Sequence, residues 1–144
     1  MAFLEKELFI AESTIPGAGM GLFTRVAIPK GTRIVEYKGK ISTWSEVDSQ
    51  DGLNPYIYYV SDEHVIDAAK RTKSLARYIN DARGFKKIKG LTNNAYYIEE
   101  GTRVFVDAYK DIPAGAEILV SYGKEYWDVL KKNFKELEQE KKKA

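Results

Sequence analysis

The chain of 144 residues has no cysteine, one histidine, four prolines and two methionines. Without cysteine there is no disulfide, no thiolate zinc site and no thiol nucleophile. With His64 as the lone imidazole, a Ser-His-Asp triad is a poor fit. Asp62, Glu63, His64 and Asp67 are neighbours, but a lone histidine in a hairpin turn is usually solvated, so no metal is expected. There is no run of about 18 apolar residues, so no membrane partner is expected. Residues Met1-Ala2-Phe3-Leu4-Glu5-Lys6-Glu7 put acids where a secretory leader needs basic and then apolar ones. A cytoplasmic setting, with the nucleus also open, is the simplest expectation. An excess of charge is missing too: 23 basic and 21 acidic residues give a net +2. That argues against a nucleic-acid partner. The basic runs at Lys70-Arg71-Thr72-Lys73, at Arg83 with Lys86, Lys87 and Lys89, and at Lys141-Lys142-Lys143 are expected to be solvated.

What is present is a series of short β-branched and aromatic runs cut by turn signals. Strands are expected at residues 8–12, 22–24, 32–38, 56–60 and 65–67, with a hairpin of 93–99 and 102–108 around Glu100-Gly101. A short helix is expected from Thr43 or Trp44, capped by Ser42 or Thr43. Gly17, Gly19 and Gly21 let the backbone take positive φ and approach a ligand, or simply form a glycine-rich hairpin. The pattern Ile-Pro-x-Gly-x-x-Ile occurs at Ile28 and again at Ile112, which the same turn-plus-strand solution explains.

The chain is organised around residues 117–127. Glu117-Ile118-Leu119-Val120-Ser121 reads as a buried strand, stopped by Tyr122-Gly123. Tyr126-Trp127 opens a last helix, in which Trp127, Leu130, Phe134 and Leu137 form one apolar stripe that would also serve a homodimer. A tyrosine hydroxyl at the end of a buried strand is well placed for chemistry.

Four segments together resemble a protein-lysine methyltransferase of the minimal SET-domain kind, without a post-SET zinc module. Pro16 through Phe23 resembles the family's G-x-G segment, and Glu36-Tyr37-Lys38-Gly39 its strand-ending Y-x-G. Val65-Ile66-Asp67-Ala68 through Arg77-Tyr78-Ile79-Asn80 resembles V-I-D-A…A-R-F-I-N-H-S-C, and residues 117–127 the E-I-x-x-x-Y-G…Y-W ending. The chain departs from the pattern at Asp81-Ala82-Arg83-Gly84, where the family has histidine, serine and cysteine. Asn80 and Asn94 match its asparagines.

The resemblance implies a mostly-β, β-clip-like SET fold over residues 8–127, made of several small sheets with short helices. A C-terminal helix and basic tail would follow at 128–144. It implies methyl transfer from S-adenosylmethionine to a lysine amine on a protein substrate, a basic or histone-like protein being one candidate. Tyr122 would position the amine, Tyr56 and Tyr58 would line the lysine channel, and Tyr37 is a weaker candidate. Ala18, Gly19, Met20, Arg77, Asn80, Asp81, Tyr122, Tyr126 and Trp127 would bind the cofactor, with Arg77 meeting its carboxylate or bracing the loop. Val120 would be a roomy channel wall suited to di- and trimethyllysine, or ordinary strand core. Two alternatives stand beside this reading. One is a SET-like module that binds cofactor or protein with weakened catalysis. The other is a small β-rich nucleic-acid-binding domain.

Overall fold

A computed structural model describes residues 4–48, 57–70, 74–82 and 90–122. The expected C-terminal helix, Tyr56, Tyr126, Trp127 and most of the basic runs lie outside these residues.

Among the described residues, three small antiparallel sheets build the fold. Leu8–Glu12 (β1) pairs with Met20–Thr24 (β2) across the glycine loop, with Phe9 stacked on Phe23 at 5.5 Å. The second sheet orders Arg33–Glu36 (β3), Arg103–Ala108 (β8) and Ala95–Glu100 (β7), with β8 in the middle. Its burial follows from position, since Val104, Phe105 and Val106 of β8 are all buried. The third sheet places His64–Asp67 (β6) between Lys40–Ser42 (β4) and Ile57–Ser61 (β5). Trp44–Asp48 forms the short helix α1. Thr43 is its N-cap: Glu46 turns back to accept the Thr43 backbone N–H at 3.2 Å, as a capping box does. On one face of the second sheet, Arg33 and Arg103 stack on Phe105 at 4.2 and 4.8 Å and pair with Asp107, Glu100 and Glu36.

The two Ile-Pro-x-Gly turns pair with each other. Ile28 and Ile112 exchange both backbone bonds at 2.8 Å, and each is 1% exposed. The bonds around them repeat in the same symmetric way. Gly31 N–H reaches Ala108 O and Gly115 N–H reaches Thr24 O, both at 2.7 Å, while Ala108 N–H and Thr24 N–H return to Thr32 O and Ala116 O. Gly31 and Gly115 take φ of +88° and +85°, so each turn requires its glycine. A local pseudo-twofold therefore relates the stretch leading into β3 to the stretch leading into Tyr122. The same turn-plus-strand solution is used twice, as expected, and the two copies pair with each other.

One expected strand is corrected. Residues 117–120 are buried, with Ile118 and Val120 at 0% exposure, but among the described residues they join no ladder. They make isolated bridges instead: Glu117 to Phe23, Leu119 to Asn80 and Val120 to Ala95. One short segment is thus tied to three parts of the chain.

Candidate active site

Tyr122 ends that segment, and its approach is fixed bond by bond. Ile118 N–H donates to Leu22 O at 2.8 Å, and Val120 N–H to Asn80 O at 3.0 Å. Buried Asn94 holds the stretch between them, donating to Glu117 O and accepting from Leu119 N–H, each at 2.9 Å. Asp81 Oδ2 accepts the Tyr122 backbone N–H at 2.9 Å. The Tyr122 hydroxyl donates to the carbonyl of Ile79. A phenol held at both ends loses little entropy when it orients a substrate, which suits it to positioning.

The glycine loop joins the same segment through β2, where Leu22 O accepts Ile118 N–H. Gly17 and Gly19 take φ of +79° and +76°, with nothing within 4 Å of where a Cβ would stand. Gly21 is needed for a different reason. A Cβ there would meet Glu117 Oε2 at 2.2 Å. Ala18 is half-buried, and Gly19 and Met20 are exposed, so this strand end is open to a ligand. Asn80 Nδ2 donates to Met20 O at 3.0 Å, which joins the loop to the Tyr122 segment.

Tyrosines gather where the second and third sheets meet. Tyr37, which is buried, and Tyr58 on β5 and Tyr97 on β7 have ring centroids 5.1 to 6.0 Å apart. All three, with Tyr122, belong to the main core and its border. Burial, the nearby Glu99 charge and a hydrogen bond to Glu99 push the Tyr58 phenol up to about 12. At neutral pH it is therefore a neutral donor and not a base.

Tyr97 was missed in the sequence. Ala95 bridges Val120 in parallel, and Tyr97 and Tyr122 each lie two residues beyond that pair. The signal was the alternation along β7, where Tyr96 is exposed and Tyr97 shares a face with Ala95 and Glu99. The Glu117 carboxylate was also missed, because a glutamate opening an apolar run has no local mark of burial.

Two expected cofactor residues turn inward. Arg77 Nη1 donates to Ala68 O and Ala69 O at 3.1 and 3.0 Å, so its guanidinium braces the loop, one of its two expected roles. Asp81 is 3% exposed and its carboxylate accepts from Tyr122 N–H and Asn93 Nδ2. Its carboxylate is therefore taken up by the protein and not offered to a ligand. Asn80, expected at the cofactor, joins the glycine loop to the Tyr122 segment through Met20 O and Val120 N–H. Val120 is fully buried in the main cluster, where its side chain is part of the core.

The family model of the SET domain matches residues 19–123. This chain belongs to the SET domain family. It is 28% identical over 119 residues to "N-lysine methyltransferase KMT5A-A" of Danio rerio, covering 76% of this chain and 33% of that protein. It is 27% identical over 139 residues to "Histone-lysine N-methyltransferase EZH2" of Chaetomium thermophilum, covering 88% of this chain and 9% of that protein. This SET domain thus spans a third or less of the length of these relatives. Its fold is similar to the solved structure "ctPRC2 in an autoinhibited conformation bound to S-adenosylmethionine". The TM-score is 0.67 at 23% identity, covering 90% of this chain and 16% of that one. The three sheets and the buried Tyr122 segment are the SET fold that the four sequence segments suggested.

Proposed function

We propose that this SET domain transfers methyl groups from S-adenosylmethionine to the side-chain amine of a lysine in a protein substrate. The observation that carries the reading is the placement of Tyr122: its N–H is held by Asp81, its hydroxyl by the Ile79 carbonyl, and the segment behind it by Asn80 and Asn94.

The cofactor, when bound, supplies a methyl group on a positively charged sulfur. The residues here fit such a group at its reacting end. The Tyr122 phenol, the Ile79 carbonyl and the Asp81 carboxylate put oxygens at this position, and among the described residues the guanidinium of Arg77 is turned to Ala68 and Ala69. Oxygens of this kind tolerate a cation and accept weak C–H bonds. Exposed Met20 and the open positive-φ backbone of Gly19 provide a surface with no side chain in the way. Ala18, Gly19, Met20, Asn80 and the main chain of Asp81 are assigned to this ligand, with Tyr126 and Trp127 as further aromatic surface.

A free lysine has a pKa of about 10.4, so only ~0.04% is neutral at pH 7. A channel lined by Tyr37, Tyr58 and Tyr97 disfavours the ammonium by desolvation. Tyr122 then orients the free amine for in-line attack, an effect worth up to about 7–11 kcal/mol in ideal intramolecular cases. No general base on the chain is needed in this scheme. The relatives' names, lysine and histone-lysine methyltransferases, support a protein substrate, and a basic, histone-like one in a cytoplasmic or nuclear setting is our reading.

The departure at Asp81-Ala82 supports an active enzyme over a weakened binding module. Asp81 holds Tyr122, and Ala82 N–H is satisfied by Asn93 Oδ1 at 2.8 Å. Both described residues of the departure, Asp81 and Ala82, have their bonds made. The test is incubation with methyl-labelled S-adenosylmethionine and a cell lysate, followed by mass spectrometry. Labelled lysines are the expected result. Cofactor binding with no labelled protein or peptide would favour the binding module instead.

A further inference from the structure

We propose that the Glu117 carboxylate is a positioning residue for the cofactor, setting where the glycine loop stands relative to Tyr122. This rests on the functional reading above. Glu117 is 5% exposed, and its two oxygens accept four donors from residues far away in the chain. Oε2 accepts Ser13 Oγ at 2.8 Å and Asn80 Nδ2 at 3.3 Å. Oε1 accepts the backbone N–H of Thr14 at 2.9 Å and its hydroxyl at 2.6 Å. The side chain reaches these partners only because Gly21 leaves the space beside it.

The loop is a closed unit by itself. Ser13 N–H bonds Gly19 O at 2.8 Å, Ala18 N–H bonds Ile15 O at 3.1 Å, and Ile15 N–H bonds Ser13 Oγ at 3.0 Å. The carboxylate holds the start of that unit through Ser13 and Thr14. Through the shared amide of Asn80, which also holds Met20 O, it is linked to the end. Hydrogen bonds to an ionised acceptor are short and strong, so this is a firm attachment.

Tyr122 is held by other means. Asn94 fixes the main chain at Glu117 and Leu119, and Asp81 fixes Tyr122 itself. Removing the carboxylate therefore releases the loop while leaving the tyrosine in place. A purely structural glutamate would lower the amount of folded protein and leave the cofactor affinity of the folded molecules unchanged. A positioning glutamate separates cofactor affinity from turnover.

The experiment uses Glu117→Gln in the full chain, with S-adenosylmethionine binding followed by calorimetry. Turnover is followed on the best peptide from the labelling experiment. Glutamine keeps the size but offers one accepting oxygen to donors that now use two. We expect cofactor affinity to weaken about tenfold, the scale of one charge-assisted bond, with kcat at saturating cofactor within about twofold. Unchanged affinity, or a kcat that falls in step with it, overturns the proposal. If Glu117→Gln does not fold, Thr14→Val removes one donor at the exposed rim. It should show the same split at about threefold, and unchanged affinity there is equally decisive. Wild-type protein that binds no cofactor overturns the functional reading, and this inference with it, before any variant is compared.

Discussion

Asp81 Oδ2 accepts the backbone N–H of Tyr122 at 2.9 Å, so the residue that stands where the SET pattern carries histidine fixes the tyrosine at the candidate active site. The other oxygen accepts Asn93 Nδ2 at 3.1 Å, and the carboxylate is almost wholly buried. Asp81→Ala strands two donors in a dry place, so we expect a loss of about 1–3 kcal/mol in stability and a fall in turnover. Asp81→Asn keeps one acceptor and should be milder in both. Thermal unfolding and a methyl-transfer assay on the pair would check this, and an alanine variant as stable and active as wild type would refute it.

Tyr122→Phe removes the hydroxyl held on the Ile79 carbonyl and leaves the backbone bond to Asp81. The ring still packs against the core, so the fold and cofactor affinity should stay near normal. Turnover should drop by about 10²-fold, the scale seen when an orienting hydrogen bond is lost. Full activity in this variant would remove Tyr122 from the mechanism.

The glycines of the loop should fail for different reasons. Gly21→Ala puts a Cβ 2.2 Å from Glu117 Oε2 in a packed site, and overpacking of this kind costs about 1–3 kcal/mol. Gly19→Ala meets no atom, but its φ of +76° disfavours any L side chain by about 1–2 kcal/mol. Denaturant unfolding should show both losses. Only Gly21→Ala should be relieved when position 117 is shortened as well, because only there is the strain a contact.

Alkaline pH should destabilise the protein through Tyr58. An unfolded phenol titrates near 10, whereas the folded one is raised to about 12 by burial and by Glu99. The folded state then holds its proton where the unfolded state has lost it. The Tyr58 contribution is whole below pH ~10 and is lost as pH rises towards 12. Unfolding followed across that window should be flatter in Tyr58→Phe, and a slope identical to wild type would count against the assignment. At the acid end, Glu36 is held below the usual carboxylate range by its bond to Arg103. Its contribution is present above the unfolded value and fades as pH falls through the folded one.

Local patterns in the sequence determined most of the strands, the β7–β8 hairpin and its turn at Glu100-Gly101, a cap at Ser42 or Thr43, and the resemblance to the SET family. Alternation, capping and turn chemistry are properties of residues close in the chain, and they survive without knowing the neighbours in space. Tertiary structure alone decided the rest. The segment at 117–120 has the composition of a strand, but whether it joins a ladder depends on partners at Leu22, Asn80 and Ala95. Gly21 resembles Gly19 in the sequence, yet one is set by a contact and the other by its φ. Asp81 looked like a damaged motif and is a brace, and Arg77 turned to two carbonyls because Ala68 and Ala69 stand within its reach. The bond between Ser13 and Glu117 joins residues 104 apart. Nothing local marks such a pair, because a carboxylate is tolerated in the interior only where folding brings enough donors to replace its water.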